Sequence, residues 1–267
     1  MDAFINPVSI RPLKIFPSLV HGFSPRYFFT RDGEKTELLL GKHADDNSSA
    51  RHRQWFLRSL SIDKTDQVFI LNQTHSDRVY VLDDTEKTES DIADEEADAI
   101  VTHLADRPLG VLTADCIPII IYDPVLHVTG VTHAGRKGTQ ARILSKTLDR
   151  MRDVYGCQSK NIKLGMGPGI GGCCYEVDGP CIEPFRLTYP LWKRFVKNSA
   201  PGKFKLDLLS ANEQDANDAG VLSENIFRSG GCTACANHLW HSYRREGITG
   251  RTLTLCMLEA RSGSGKG

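Results

Sequence analysis

Three side chains of this 267-residue chain are of the types that bind a transition metal and stand at the ends of strand-like runs: His75, Cys116 and His133. Thiolate and neutral imidazole are ligands that zinc prefers. Three protein donors leave one position of a tetrahedral ion open, the arrangement of catalytic rather than structural zinc. Each residue alone is ordinary, since a histidine beside a strand is most often structural and a solitary cysteine most often core. Together, in Asn72-Gln73-Thr74-His75-Ser76, Thr113-Ala114-Asp115-Cys116-Ile117-Pro118 and Thr132-His133-Ala134-Gly135, they point to one mononuclear zinc site. Asp115 beside Cys116 is a candidate for orienting a ligand or for acid/base work, with a turn or helix cap as the alternative.

The elements that must position these residues are short and rich in β-branched side chains. Strands are predicted over 68–71 (VFIL), 78–82 (RVYVL), 98–102 (DAIVT), 109–113 (LGVLT), 117–122 (IPIIIY) and 127–133 (HVTGVTH), bounded by Asp, Pro and Gly. After His133 the period changes: Ile143, Leu148, Met151 and Val154 are spaced as in a helix that stops at Gly156. A strand follows at 161–166 (NIKLGM), helices are predicted within 47–60, 183–197 and 213–228, and 253–258 (LTLCML) reads as a closing strand. Strand runs in the middle with helices outside give an α+β fold with layered sheets flanked by helices.

Without a fixed-period repeat or a central linker, one domain is expected over 1–260, with the Gly/Ser-rich 261–267 as a disordered tail. Lys plus Arg and Asp plus Glu are both 33, so no basic field is available for a nucleic-acid backbone or an anionic membrane, and a small-molecule partner is expected. The N-terminus does not read as a secretory signal, no run is long enough to span a bilayer, and eight cysteines spread from 116 to 256 suit free thiols. A cytoplasmic protein is expected.

Gln73-Thr74-His75, Ala97-Asp98-Ala99, Thr113-Ala114-Asp115-Cys116-Ile117-Pro118, His133-Ala134-Gly135, and Gly167-Pro168-Gly169-Ile170-Gly171 through Cys173-Cys174-Tyr175-Glu176-Val177 resemble the signature of the YfiH family. That family is also labelled polyphenol-oxidase laccase or purine nucleoside phosphorylase, and includes the peptidoglycan-editing factor and the human laccase-domain protein. The resemblance runs from His21-Gly22-Phe23-Ser24-Pro25-Arg26 to Ser242-Tyr243-Arg244-Arg245 and Thr249-Gly250-Arg251. It implies an alpha-beta-beta-alpha arrangement and a metal held by His75, Cys116 and His133. It also implies phosphorolysis of purine nucleosides (adenosine, inosine, guanosine, methylthioadenosine), with adenosine deamination as a companion activity. Both suit an open zinc site, which acidifies water towards a pKa of roughly 7. Arg26 and Arg53 match arginines of the family pattern and, with Lys137, are the candidates for substrate or phosphate contacts. Two departures bear on substrate choice: Arg136-Lys137-Gly138 stands where the family has Trp-Arg-Gly, and His241 where it has an aromatic residue.

Rival chemistries use the same residues. Cys116 could be a thiolate nucleophile activated by His75 or His133, giving a cysteine hydrolase or amidase that edits peptidoglycan precursors. Copper oxidase chemistry would pair the His2Cys set with Met166, but none of the nine histidines forms the His-x-His pair of a multicopper cluster. A non-enzymatic scaffold with a structural site is the third rival. The stretch Gly165–Gly172 could offer N–H groups to an anion or simply form a tight turn, with Cys173 and Cys174 as buried neighbours. Cys232-Thr233-Ala234-Cys235, followed by His238 and His241, has neither the context of thioredoxin nor the spacing of a zinc finger, so no second metal site is expected.

Overall fold

The isoleucine-rich run and the run ending at His133 form the central hairpin of the molecule. In the computed structural model, which describes residues 3–41, 46–65 and 67–260, Ile117 pairs with Ala134, Pro118 with His133 and Asp123 with Val128. In chain order the first elements are β1 (Ala3–Phe4), β2 (Leu19–Phe23), β3 (Tyr27–Thr30), β4 (Lys35–Glu37), α1 (Asp46–Ser59), β5 (Val79–Leu82), α2 (Glu89–Ile92), β6 (Ala99–Thr102) and β7 (Leu109–Thr113). The hairpin follows as β8 (Ile117–Asp123) and β9 (Val128–Ala134), then α3 (Arg136–Gln140), α4 (Ile143–Tyr155), β10 (Lys163–Met166), β11 (Glu176–Asp178) and α5 (Gly179–Thr188). The last are β12 (Val196–Ala200), β13 (Lys203–Leu206), α6 (Leu208–Asp218), β14 (Ile226–Arg228), α7 (Tyr243–Glu246) and β15 (Thr252–Leu258).

Two sheets make the body. A six-stranded mixed sheet runs β14-β10-β8-β9-β6-β5, and a three-stranded antiparallel sheet runs β2-β15-β7. Side-chain alternation along the strands explains how they stack. Ile117, Ile119 and Ile121 face a core shared with Ile143, Leu144, Leu148 and Met151 of α4. Ile120 and Tyr122 face the other way, into a core that also holds Leu109 and Val111 of β7 and Cys256 and Leu258 of β15. The outer face of β15, Leu253, Leu255 and Met257, packs against Phe56 and Leu57 of α1. The layers are therefore α1, small sheet, large sheet, α4 with α6, the alpha-beta-beta-alpha order expected. Each fully buried aliphatic side chain at these seams contributes about 1.5–3 kcal/mol.

Most expected elements are present, and the differences have local causes. The 68–71 run forms only an isolated bridge from Phe69 to Leu109, since its backbone pairs with the start of β7 through Phe69 N–H to Pro108 O and Gly110 N–H to Phe69 O. The helix expected over 183–197 occupies Gly179–Thr188: Asp178 caps its N-terminus, and Tyr189 before Pro190 is forced extended, at φ −116 and ψ 109. The helix expected over 213–228 begins earlier, at Leu208, where the Asp207 carboxylate accepts the Ser210 N–H. α4 ends at Gly156 with φ +75, as its spacing predicts. The 261–267 tail lies outside the described residues, among which no helix is long and apolar enough to cross a membrane.

Candidate metal centre

Cys116 sits where the chain leaves the small sheet at the end of β7 and enters the large one at β8. His133 lies in β9, which pairs with β8, so register alone places its side chain next to that crossing. His75 comes from the loop before β5. The side-chain amide of Gln73 holds that loop to β7, donating to Leu112 O at 2.9 Å and accepting from Leu112 N–H at 2.8 Å. The donor atoms of His75, Cys116 and His133 all lie within 4.8 Å of one another, with Cys116 Sγ 3.8 Å from His75 Nε2. Gly135 is what allows this approach, because a Cβ there would stand 2.8 Å from the His75 ring and 3.0 Å from Cys116 Sγ.

A buried carboxylate organises the donors. Asp98 accepts from His133 Nδ1 at 2.7 Å, from the backbone N–H groups of Thr74 (3.2 Å), His75 (3.1 Å) and Ser76 (2.6 Å), and from Ser76 Oγ at 2.7 Å. These bonds hold His75 in a left-handed conformation, φ +59, that a non-glycine residue seldom adopts. They also fix the tautomer of His133: with its proton on Nδ1, Nε2 is left to ligate, the usual carboxylate–histidine support of a zinc site. Burial opposes ionisation of Asp98, but the bonds from His133 and Ser76 outweigh it and keep the carboxyl below its ordinary range.

The electrostatics favour a dication. Burial pushes the Cys116 thiol up, yet the charges and hydrogen bonds of His133 and His75 win and its pKa falls below the ordinary value. The His133 imidazole is raised for the reciprocal reason, as Cys116 and Asp98 outweigh its desolvation. A thiolate beside two imidazoles, one of them oriented by a carboxylate, is the donor set that zinc takes up with release of the histidine proton.

These three residues line a cavity of about 560 Å³ whose wall also includes Gln73, Asp115, Arg136, Tyr175, Tyr243, Arg244 and Arg251, with Ile70, Leu71, Leu112, Ile170 and Leu208 among its apolar lining. Arg244 lies over the Tyr175 ring, 4.9 Å from its centre, and donates to Glu176 O at 2.7 Å. Asp115 lines the cavity, but its carboxylate is occupied: it accepts from Thr233 Oγ1 at 2.6 Å, Ser242 Oγ at 2.7 Å and Arg244 N–H at 2.6 Å. It ties the segment that carries Tyr243 and Arg244 to the strand crossing.

The cations anticipated from the sequence are placed elsewhere. Arg26 is bound to Glu37, Glu246 and the carbonyl of Asn237, away from the cavity wall. Lys137 is exposed and Arg53 lies in α1, and neither lines the cavity. Arg136, one of the residues that depart from the family pattern, lines the cavity instead, with Arg244 and Arg251. Asp98 and these arginines were visible in the sequence only as members of motifs. The expectation that Cys173 and Cys174 are buried is corrected, since Cys173 is exposed and Cys174 half-buried at the surface turn after β10.

Residues 20–259 match the family model described as multi-copper polyphenol oxidoreductase laccase. A protein named adenosine deaminase RL5, from an unknown prokaryotic organism, is 38% identical over 195 residues, covering 71% of this chain and 74% of that one. The purine nucleoside phosphorylase YlmD of Bacillus subtilis is 31% identical over 239 residues, covering 85% and 86%. The crystal structure of the Bacillus licheniformis hypothetical protein YfiH superposes with a TM-score of 0.81 at 29% identity, covering 91% of this chain and 94% of the other.

Proposed function

The chain belongs to the multi-copper polyphenol oxidoreductase laccase family, the YfiH family, and on that premise we propose that it is a cytoplasmic, zinc-dependent purine nucleoside phosphorylase that also deaminates adenosine. The observation that carries this reading is the convergence of one thiol and two imidazoles in the wall of a cavity that also presents three arginines and two tyrosines. The names of the relatives, a nucleoside phosphorylase and an adenosine deaminase, support the substrate class.

In this reading His75, Cys116 and His133 hold one zinc ion, and Asp98 sets the orientation of two of them. Bound zinc supplies Lewis acidity, polarising a substrate oxygen and acidifying water. Arg136, Arg244 and Arg251 bind phosphate and fix it for attack on the anomeric carbon of the ribose, which releases the purine and gives ribose 1-phosphate. Tyr175 and Tyr243, with the Ile170 and Leu208 side, receive the flat base. Asp115 positions Arg244 through its backbone amide. Arg26, Arg53 and Lys137 lie outside the cavity wall and take no part in this reading.

A second reading, hydrolysis by a Cys116 nucleophile, draws on the lowered thiol pKa and the nearby His75. Adenosine supplied with phosphate to the wild type, before and after chelation of its metal, separates the two. The zinc reading expects ribose 1-phosphate and adenine, and inosine from deamination, from a wild type holding zinc at the site, with both products lost when zinc is removed by a chelator and restored with it. Turnover that survives chelation and stops on alkylation of Cys116 would reject it.

A further inference from the structure

Four cysteines that this chemistry does not use meet in space. Cys173 and Cys174 lie in the turn after β10, and Cys232 and Cys235 in the segment between β14 and α7. Their sulfurs all lie within 4.8 Å of one another, with Cys235 Sγ 3.3 Å from Cys174 Sγ and 3.6 Å from Cys173 Sγ. Four thiolates around a tetrahedral zinc, each about 2.3 Å from the metal, stand about 3.8 Å apart. Small side-chain adjustments therefore suffice to close such a site.

The backbone is arranged for thiolate. Gly171 N–H donates to Cys232 Sγ at 3.2 Å, and a Cβ on residue 171 would press within 3.2 Å of both Cys173 Sγ and Cys232 Cβ. Partial burial works against ionisation of Cys232, but bonds from the Gly171 and Cys235 amides bring its pKa below the ordinary value. Cys174 shows the opposite, pushed up to about 12 by its contact with Cys235 and by burial. Thiolates this close repel each other, a conflict that a bound dication removes.

We propose that Cys173, Cys174, Cys232 and Cys235 hold one structural zinc ion, separate from the site of His75, Cys116 and His133. Binding sends the thiol protons to solvent and fills all four positions with sulfur, so this site has no opening for substrate. Its effect is mechanical: the ion clips the turn that leads into Tyr175 to the segment that leads into Arg244. Backbone bonds already join the two, with Thr233 N–H donating to Gly169 O at 3.0 Å. Thr233 and Ser242 on the same segment hold Asp115. A clip between parts of the chain this far apart narrows the loop arrangements open to that side of the cavity.

Zinc counting in the Cys116→Ala variant, which lacks a ligand of the first site, tests the second site alone. Purified under reductant and without chelator, this protein is expected to hold about one zinc per chain, and its cobalt form to show the intense visible bands of tetrahedral thiolate ligation. Adding Cys173→Ser and Cys235→Ser is expected to remove both signals. A folded Cys116→Ala protein without zinc, or a triple variant that keeps it, overturns the proposal. Thiol titration of the wild type checks the result without mutation. The four thiols should resist a thiol reagent until a strong chelator is added and then react. Prompt reaction before chelation, or a disulfide within the cluster in protein kept reduced throughout, overturns it too. Failure here leaves the first site untouched, because the wild type would then hold a single zinc ion that Cys116→Ala alone abolishes.

Discussion

The group of His75, Cys116 and His133 and the group of four cysteines differ in donors, in support and in access. The first stands at the crossing between two sheets, with one ligand in β9, one against the start of β8 and one in a loop pinned by Asp98 and Gln73. It mixes nitrogen with sulfur, offers three donors and opens to a cavity. The second joins two surface loops, offers four sulfurs and has two exposed members. In the proposed reading, three donors anchored at the sheet crossing would leave a reactive position at a fixed place, whereas four donors on loops would complete a coordination shell and restrain those loops. On these proposals the same side-chain type would serve chemistry in one region and shape in the other.

The contrast can be broken by removing one ligand from each. Cys116→Ala is expected to lower phosphorolysis and deamination by more than about a thousandfold, measured as product formation, because the loss of zinc removes several kcal/mol of charge stabilisation. Comparable activity in the variant would place the chemistry elsewhere. Asp98→Asn keeps the size of the side chain but cannot accept bonds at both ends. Zinc affinity at the first site is expected to fall about 10- to 100-fold, read by competition with a chromophoric chelator. An unchanged affinity would mean that the support of His133 is unimportant.

Arg136→Ala and Arg244→Ala test whether the arginines meet phosphate: each is expected to raise KM for phosphate by roughly tenfold or more, with a smaller change in KM for the nucleoside. Equal effects on both substrates would assign these residues to the base or the fold. In chelator-treated protein, alkylation mapped by mass spectrometry is expected to find Cys116 reacting near neutral pH. Its pKa lies below the usual thiol value, so its rate falls only when the pH drops below the ordinary thiol range. Buried Cys157 and Cys256, whose thiols burial pushes up to about 12, should stay unmodified. The smallest effect on turnover is expected from Cys235→Ser, less than about threefold, with a melting temperature lower by roughly 3–6 °C. A turnover loss as large as that of Cys116→Ala would erase the difference between the two regions.

Much of the frame was legible in the sequence. The β-branched runs at 117–122 and 127–133, bounded by turn residues, and the helical spacing that ends at Gly156 each depend on neighbours a few residues away. Those neighbours set the type and the limits of each element. The strands at Glu176–Asp178, Val196–Ala200 and Lys203–Leu206 were not anticipated, because they are short, and two of them are largely exposed and carry little apolar pattern.

The sequence by itself determined the residue types, their order and the elements on which they ride: His75, Cys116 and His133 stand at predicted strand ends because β-branched runs and turn residues put them there. Only the tertiary structure decided which groups face one another. Arg26 and Lys137 looked equivalent to Arg136 as cations, yet sheet stacking turns Arg136 to the cavity, ties Arg26 to Glu37 and Glu246, and leaves Lys137 in solvent. Cys232-Thr233-Ala234-Cys235 read as half a site with no partner until the β10 and β14 pairing carried Cys173 and Cys174 to it across 61 residues. The reason is physical. Local periodicity fixes direction within an element, while convergence between distant loops depends on register and layer packing, which no short stretch encodes.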